Sequence, residues 1–461
     1  MTFTAVNGLP GSPSGILITS YAAHRGADAW RTVGASPPDE NLTSLAFGPA
    51  LLVSPDLEHT VAASSRNLTG TAQSGFASLY LRDNATNTEE LMTPYAPFNG
   101  NKFVSYTIVG ASTDFRHVFF ESSTPLTPDT PSSAFDNLYE FADGTLRNVT
   151  ILPGQSAPSP EGLSSTFGTR AAYPVSEDGS RVFFVASKPA EGSEFFGPQL
   201  YMRTNDASTV EVSASQRRPA DPTPGTVTFV GAAADGSSAF FTSSSRITDD
   251  ANAGNPPNLA PNLYRYEVAT GKLTDLSVAT DPADEHFGAG VAGVVVSKDG
   301  EGAYFTSRAN LAAGGTTGAT NLYHWTLGQP LAFVAELGPS DPLASEFSGP
   351  QGSSRLTPNG GVLAFVSSRA LDPSHPDVEG TNEIYRYDAA TGRLARVSCG
   401  RPGSTPAEAT IAPPSYAGAP ATGVLSTDGN RLFFQTAARR WCRRTTTANP
   451  TSTSGREARS A

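Results

Sequence analysis

The chain has 461 residues and a formal net charge of −12, without a basic run ahead of its C-terminal tail, which argues against a nucleic-acid or anionic-membrane surface. No stretch approaches the roughly 18 consecutive apolar residues that predict a membrane-spanning helix. The 44 Gly and 37 Pro predict many turns and few long helices, because both residues are unfavourable inside a helix.

The chain carries no recognisable targeting or cysteine motif. Its first residues, MTFTAVNGLPGSPSG, lack the basic and apolar regions of a secretory signal. Cys399 and Cys442 form no metal-binding, redox or disulfide pattern. Only four of the 31 basic residues are Lys, and this skew, together with abundant Ala, Gly and Pro, indicates a GC-rich coding sequence.

The first predicted strands lie in residues 14–34, SGILITSYAAHRGADAWRTVG. An apolar alternation followed by AWRTVG is typical of two short strands. These two strands match the last two strands of a unit that recurs through the rest of the chain.

That unit begins with an acidic-glycine turn between short apolar runs, as in VSEDGSRVFFVAS at 175–187. Seven copies occur, and their anchor residues are Asp56, Asp114, Asp178, Asp235, Asp299, Asn359 and Asp428. Successive anchors are 58, 64, 57, 64, 60 and 69 residues apart. This near-constant spacing indicates an internal repeat.

A second motif, built around Leu-Tyr or Ile-Tyr, follows each of the first six anchors. Its copies are SLYLRD (78–83), NLYEFA (137–142), QLYMRT (199–204), NLYRYE (262–267), NLYHW (321–325) and EIYRYD (383–388). A tight turn and a last short strand complete the unit, as in ATGKLTDLS at 269–277. Each unit therefore predicts four short strands.

The local chemistry of the unit agrees with this assignment. Asp-Gly and Asn-Gly supply the positive φ that a two-residue hairpin requires, and Val, Phe and Tyr suit a half-buried pleated surface. One four-stranded unit cannot bury both of its faces, so neighbouring units must stack on it. Radial stacking predicts an all-β fold, namely a β-propeller of four-stranded antiparallel blades.

The combination of Ser-x-Asp-Gly, an apolar strand, Leu/Ile-Tyr-x-Tyr and Thr-Gly-x-Leu resembles the WD-repeat-like propeller repeats of bacterial TolB-type proteins. The resemblance covers residues 45–437. It implies a propeller and an extracytoplasmic or cell-envelope role. It does not identify a ligand, since such repeats serve many unrelated functions.

We expect a single propeller over residues 1–437. Complete blades are predicted at 45–95, 101–153, 168–214, 225–278, 286–338 and 350–399. Residues 421–437 contain only the first two strands of a unit. Together with residues 11–36 they predict a composite seventh blade that closes the ring and covers two open sheet edges. The alternatives are six blades or an incompletely closed ring.

After FFQTAAR the repeat stops, and residues 438–461 predict a disordered polar tail. A frameshift would explain the change, because one choice of codons for residues 441–455, read one base earlier, encodes LVPQDDNGQPDVYEW. That peptide supplies the missing loop and a Val-Tyr strand. The alternative is a natural polar tail, and in both cases Cys442 and the tail arginines carry no designed function.

Two sets of recurrent residues are candidates for a site. The anchor acids are interpreted as turn residues, because one acid per blade at a hairpin is expected structurally. A recurrent Arg follows the second strand, at Arg66, Arg246, Arg308, Arg369 and Arg439. A ring of arginines on one face can bind anions. The alternative is that each Arg pairs with an acid or a carbonyl in the loop of its own blade.

The loops between the second and third strands are acidic, as in ITDDANAGNPPN at 247–258. Clustered Asp and Asn oxygens suit Ca²⁺, which takes about six to eight oxygen ligands. The best candidates for these ligands are Asp249, Asp250 and Asn252. We predict no other cofactor and no catalytic residue.

The leading functional interpretation is a non-enzymatic propeller, a binding or scaffold protein that presents loops around a central channel to a protein or glycan partner. We expect a monomer that binds no nucleic acid and does not insert into a membrane. A second hypothesis is a polysaccharide lyase or glycosidase acting at the channel mouth, which needs convergent His, Arg and carboxylate groups. The third is a truncated gene fragment without independent function.

Overall fold

The computed structural model contains strands and turns, and no helix is found in the described part of the chain. A segment with the length and hydropathy of a membrane-spanning helix is accordingly not found among these residues. The described residues are 2–6, 18–36, 51–72, 77–94, 104–131, 136–159, 163, 171–187, 197–219, 225–252, 260–279, 289–338, 341, 352–372, 380–398, 408–411 and 424–436.

An antiparallel sheet of three strands opens the fold, in the order β1-β2-β3. Its strands are β1 (Thr2–Val6), β2 (Ile18–Arg25) and β3 (Trp30–Gly34). The central strand β2 is paired on both sides.

Each of the six complete repeat units forms one antiparallel sheet with its strands side by side in chain order. Blade 1 contains β4 (Leu52–Val53), β5 (His59–Ser64), β6 (Ser78–Asp83) and β7 (Thr88–Leu91). Blade 2 contains β8 (Thr107–Ala111), β9 (His117–Ser122), β10 (Asn137–Ala142) and β11 (Thr145–Asn148). Blade 3 contains β12 (Arg181–Ser187), β13 (Pro198–Thr204) and β14 (Ser208–Glu211). Its first strand is reduced to a bridge between Val175 and Val182.

The remaining three blades follow the same order. Blade 4 contains β15 (Val227–Ala232), β16 (Ser238–Ser243), β17 (Asn262–Glu267) and β18 (Lys272–Asp275). Blade 5 contains β19 (Ala292–Val296), β20 (Gly302–Ser307), β21 (Asn321–Thr326) and β22 (Ala332–Glu336). Blade 6 contains β23 (Ser354–Leu356), β24 (Val362–Ser367), β25 (Glu383–Asp388) and β26 (Arg393–Arg396).

A small C-terminal sheet follows blade 6. Strand β27 (Ala409–Thr410) pairs with β28 (Gln435–Thr436). A bridge between Leu425 and Leu432 closes the hairpin that leads into β28.

The first strands of neighbouring blades approach one another closely. Ala172 of blade 3 and Gly231 of blade 4 form a parallel bridge. A Cβ added at Gly231 would lie 2.7 Å from Val296 of blade 5, and one added at Gly110 of blade 2 would lie 3.1 Å from Val175 of blade 3. Sheets that meet along their first strands are arranged radially around a central axis, and the fold is an all-β propeller.

The apolar core lies between neighbouring blades. Its largest cluster joins Phe119 of blade 2, Phe183 of blade 3 and Phe229 of blade 4, and Phe183 stacks on Phe229 with 5.8 Å between ring centroids. On the other face of the second strand, Phe184 stacks on Tyr201 of its own blade at 5.7 Å. Each blade therefore depends on its neighbours for burial of its faces.

The Tyr of the Leu-Tyr motif anchors the loop that precedes its strand. In blade 4 the Tyr264 hydroxyl donates to the Ser245 carbonyl at 2.9 Å and accepts the Ile247 N–H at 3.4 Å. The same pair of bonds recurs at Tyr80, Tyr139, Tyr323 and Tyr385. Because these side chains are fully buried, their hydroxyl groups need partners within the protein.

The structure differs from the sequence prediction at both ends of the chain. Residues 11–36 include the paired strands β2 and β3, but β1 lies outside that range and occupies the other side of β2. β27 forms where the sequence predicts no strand. Among the described residues the N-terminal sheet does not pair with 424–436. The composite blade and the number of blades stay predictions, and residues 438–461 lie outside the described part.

Removal of one Tyr hydroxyl should destabilise the protein. We expect Tyr264→Phe to lower the free energy of unfolding by about 1 to 3 kcal/mol, because the buried Ile247 N–H loses its acceptor and the Ser245 carbonyl loses one donor. Tyr266→Phe, on the same strand, is the matched control, since the described residues provide its hydroxyl with no hydrogen bond. Urea denaturation measures both variants, and equal losses would contradict the prediction.

Candidate binding site at the channel mouth

Backbone hydrogen bonds between neighbouring first hairpins form an arc across five blades. In blades 2 to 5, the N–H of the residue before the anchor acid, here called residue x, donates to the carbonyl of residue x in the next blade. The bonds lead from Thr113 to Glu177, then to Ala234, Lys298 and Pro358, with N···O distances of 2.7, 2.7, 2.8 and 2.7 Å. Pro358 has no N–H and ends the arc. Five blades thus place their x residues side by side on one surface. We call this surface the channel mouth, because the predicted central channel of the propeller would open there.

A left-handed backbone in the turn lets the hairpins pack this closely. Gly300 has a φ of +68°, and a Cβ there would lie 2.5 Å from the Ser238 hydroxyl and 2.7 Å from the Ala233 Cβ of the preceding blade. In blades 1 and 2 the same position is held by Leu57 and Phe115, with φ of +68° and +57°. The turn geometry is therefore retained even where the residue is not glycine.

The anchor carboxylates are used inside these turns. The Ser54 hydroxyl donates to Asp56, which also accepts the Glu58 N–H at 3.0 Å. The Ser54 bond is the main reason that the pKa of Asp56 lies below its usual range. Comparable bonds are made by Asp114, Asp178, Asp235, Asp299, Asn359 and Asp428. Each of these side chains therefore accepts hydrogen bonds from residues of its own turn.

Polar side chains from blades 3 and 5 meet at the mouth. Lys298 Nζ lies 2.5 Å from Glu177 Oε1, while the two side chains remain 44% and 49% exposed. The hydrogen bond to Glu177 raises the pKa of Lys298. Ala234, the buried x residue of blade 4, lies between these two residues in the arc. The mouth therefore offers both signs of charge to a ligand.

An aromatic side chain lies within electrostatic reach of this ion pair. Tyr173 is 37% exposed and has a φ of +53°, a conformation that is uncommon for a bulky residue. Burial raises the pKa of its hydroxyl, and the Lys298 charge acts in the opposite direction. Tyr173 therefore lies within electrostatic reach of Lys298 at the same mouth.

The recurrent arginines lie at the opposite end of the second strands and do not share one repeat position. In the four described blades that carry these arginines, the Tyr hydroxyl donates to an equivalent carbonyl, which belongs to Arg66, Ser245, Ala309 and Arg369. Arg246 therefore comes one residue after this position, and Arg308 comes one residue before it. Only Arg66 and Arg369 among these four blades are equivalent.

One of these arginines has an acidic partner. Arg369 forms an ion pair with Glu336 of blade 5 at 2.7 Å, so its partner belongs to the neighbouring blade rather than to its own. Arg439 lies outside the described residues. Anion binding by the arginines stays a prediction.

The predicted calcium ligands occupy different environments. Asn252 is buried, and its amide donates to the Ser277 carbonyl at 2.6 Å. Asp249 accepts a backbone N–H at 3.2 Å. Burial raises the pKa of Asp275 to about 7, and repulsion from the nearby Asp250 acts in the same direction. The described residues contain no group of three or more His, Cys, Asp or Glu side chains suited to a metal, and calcium binding stays a prediction.

Glu121 in blade 2 is a buried carboxyl group that the sequence analysis does not identify. It is 3% exposed, and its Oε1 has no partner among the described residues. Burial, reinforced by repulsion from Asp136, raises its pKa to about 8. In every blade this position lies opposite the Leu or Ile of the Leu-Tyr motif. The other blades have Ala63, Val185, Thr242, Thr306 and Val366 there. Alignment by strand register would have identified Glu121 as the exception.

No protein-family model and no curated protein matches this sequence. Among solved structures, the chain is similar to TolB from Acinetobacter baumannii, with 13% identity over 74% of this chain and 64% of that chain, at a TM-score of 0.32. It is also similar to the β-propeller domain of the Trilobed protease from Pyrococcus furiosus, with 10% identity over 86% and 92% of the two chains, at a TM-score of 0.36.

A peptidase is a third similar structure. Porphyromonas gingivalis dipeptidyl peptidase 4 shows 12% identity over 85% of this chain and 52% of that chain, at a TM-score of 0.44. The chain thus spans less than two thirds of the TolB chain and about half of the peptidase chain. Likeness at this level of identity concerns the fold alone.

A methyl group in the fifth hairpin should weaken its contact with blade 4. We expect Gly300→Ala to lower the free energy of unfolding by about 2 to 4 kcal/mol, from left-handed strain and from the clash with Ala233. Gly392→Ala is the control, because Gly392 has a φ of +64° but open space around its Cβ position; this variant should lose about 1 to 2 kcal/mol. Guanidinium denaturation measures the difference, and equal losses would refute the packing argument.

Replacement of the buried carboxyl group should stabilise the protein in a pH-dependent way. The pKa of Glu121 rises from 4.5 to about 8 on folding, so the folded state retains a proton that the unfolded state releases, and wild-type stability falls as the pH rises through this window. We expect Glu121→Val to gain roughly 1 to 3 kcal/mol over wild type at pH 9 and much less at pH 4.

The control for this prediction is Thr242→Val, at the same register position in blade 4. Its effect on the free energy of unfolding should not depend on pH. Urea denaturation between pH 4 and 9 measures both variants, and parallel pH profiles for Glu121→Val and wild type would contradict the assignment.

Proposed function

We propose that this chain is a non-enzymatic binding propeller that holds an extended segment of a protein partner at the channel mouth. The observation that carries the proposal is the Glu177–Lys298 ion pair on the arc of hairpins, with Tyr173 beside it. Binding surfaces of this kind consist of variable side chains held by a rigid frame.

The chemistry of the mouth suits a peptide better than a ligand of one charge. Glu177 and Lys298 are each about half exposed, so each can exchange its present partner for an opposite charge on a ligand at modest cost. A peptide supplies both charges together with backbone donors and acceptors. Tyr173 adds an amphipathic ring of the type that is enriched in protein interfaces.

The other interpretations differ in what the mouth must contain. A glycan partner would stack on the Tyr173 ring, and a lyase or glycosidase would need His, Arg and carboxylate groups converging there. We favour the peptide because a carboxylate, an ammonium group and an aromatic ring lie close together in the described part of the mouth. We further propose a monomer that acts outside the cytoplasm, following the resemblance of the repeats.

A display experiment tests this proposal. A library of random peptides displayed on yeast is selected against the full-length chain, and the recovered clones are tested against Lys298→Glu and Glu177→Lys. We expect each single variant to lose at least tenfold in affinity, or about 1.4 kcal/mol, for clones that bind the mouth. Lys272→Glu is the control, since Lys272 is an exposed residue of the outer strand β18, and it should bind as wild type does.

Two outcomes would overturn the proposal. Clones that bind all variants equally would place recognition elsewhere on the molecule. Binding to a glycan array that is lost in Tyr173→Ala, with no peptide selected, would replace the protein partner with a glycan.

A further inference from the structure

The strands β2 and β3 carry the hydrogen-bond pattern of the third and fourth strands of a blade. Ser20 donates its N–H to the Ser36 hydroxyl at 2.9 Å, and the Ala35 N–H returns a bond to the Ser20 carbonyl at 2.8 Å. In blade 1 the same bonds join Leu79 to Thr93 and to Met92. The hydroxyl bond recurs at Leu138, Leu200, Leu263 and Ile384. Tyr21 therefore occupies the Tyr position of a blade.

The C-terminal hairpin carries the complementary pattern of first and second strands. Ser426 and Arg431 are joined through their backbone at 2.8 Å, and Gly429 has a φ of +68°. Leu432 and Phe434 pack against the apolar cluster at the edge of blade 6. The hairpin is thus docked on blade 6 as the next blade should be.

The outer face of this hairpin is left uncovered. Phe433 is 66% exposed, whereas its equivalents in the six complete blades are at most 3% exposed. These equivalents are Val61, Phe119, Phe183, Phe240, Tyr304 and Ala364. In the complete blades the following blade covers this side chain, as Phe229 of blade 4 covers Phe183 of blade 3.

The N-terminal sheet contacts blade 1 through β3. Arg82 of blade 1, itself 3% exposed, donates from Nε to the Gly34 carbonyl of β3 at 3.3 Å. β2 and β3 are therefore docked on blade 1 as a preceding blade would be. Strand β1 pairs with the edge of β2 that a second strand would take in a complete blade.

The register shows that β1 takes the place of a second strand. Phe3 lies opposite Tyr21 and Thr4 opposite Ser20, just as Phe184 lies opposite Tyr201 and Val185 opposite Leu200 in blade 3. The repeat assigns the same positions to the C-terminal strand. It would place Phe434 opposite Tyr21 and Gln435 opposite Ser20.

We propose that residues 432–436 displace β1 from β2 and so complete the seventh blade. The occupant of the open face at Phe433 is then this chain's own β2–β3 pair. Residues 2–6 and residues 432–436 can each pair with five residues of β2. Pairing of 432–436 with β2 also removes the exposed Phe433 side chain from water, and this apolar burial favours the exchange. Before the ring closes, β1 pairs with the edge of β2 and so prevents that edge from being left without hydrogen-bond partners. This device goes beyond the proposed function, because it governs closure of the ring and not what the mouth binds.

Disulfide competition tests the exchange in the full-length chain. One variant carries Thr4→Cys, Ser20→Cys and Gln435→Cys, with Cys399 and Cys442 changed to Ser. Because Ser20 directs its N–H and carbonyl toward β3, both of its alternative partners form non-hydrogen-bonded pairs, in which the side chains are close enough for a disulfide. Oxidation at low protein concentration followed by mass spectrometry gives the ratio of the 4–20 and 20–435 disulfides.

We expect both disulfides to form within one chain, with the 20–435 share rising when β1 is weakened. Ala5→Pro weakens it, because the Ala5 N–H faces β2 in this register. Val6→Pro is its control, since the Val6 N–H faces away from β2. Phe433→Asp should lower the 20–435 share, whereas Leu327→Asp, at another exposed apolar residue, should not.

Two results would overturn the proposal. The first is exclusive formation of the 4–20 disulfide in every variant, including Ala5→Pro. The second is a 20–435 disulfide that joins two chains on a non-reducing gel, which would assign the open face to a second copy. Loss of peptide binding at the mouth with unchanged disulfide ratios would count only against the proposed function.

Discussion

The backbone bond from one first hairpin to the next, which joins blades 2 to 6 in series, is the interaction on which the rest of the structure depends. It joins an N–H to a carbonyl, so it sets the spacing of neighbouring blades regardless of the side chain at position x. The left-handed turn residue beside it brings the hairpins into contact, as Gly300 does against Ala233. With that spacing, the apolar faces of adjoining sheets meet at packing distance and the core forms between the blades.

The same arrangement separates a constant frame from a variable surface. The Ser-Asp bonds and the Tyr hydroxyl bonds satisfy the polar groups of the turns and loops, which could not otherwise stay near the core. The x side chains take no part in these bonds. They can therefore be Thr, Glu, Ala, Lys and Pro in successive blades, and Glu177 and Lys298 belong to this variable set.

Most of the frame could be predicted from the sequence, whereas the site could not. Asp178 and Gly179 specify their hairpin through residues next to them in the chain, and five of the seven copies of the repeat carry the same Asp-Gly or Asn-Gly pair. Tyr173 precedes the motif and has no repeat signal. Glu177 and Lys298 belong to different blades and meet only because the blade between them presents a small residue.

By itself, the sequence determined the strand content, the repeat and the hairpin type of each blade, because these depend on residues close together in the chain. Only the tertiary structure decided which strand lies on the edge of β2. Residues 2–6 and residues 432–436 are both compatible with a β-strand, and their sequences do not show which of the two pairs with β2. The physical reason is range: a turn is set by the φ angles and hydrogen bonds of a few adjacent residues, whereas the pairing of sheet edges and the meeting of charges depend on where whole blades lie.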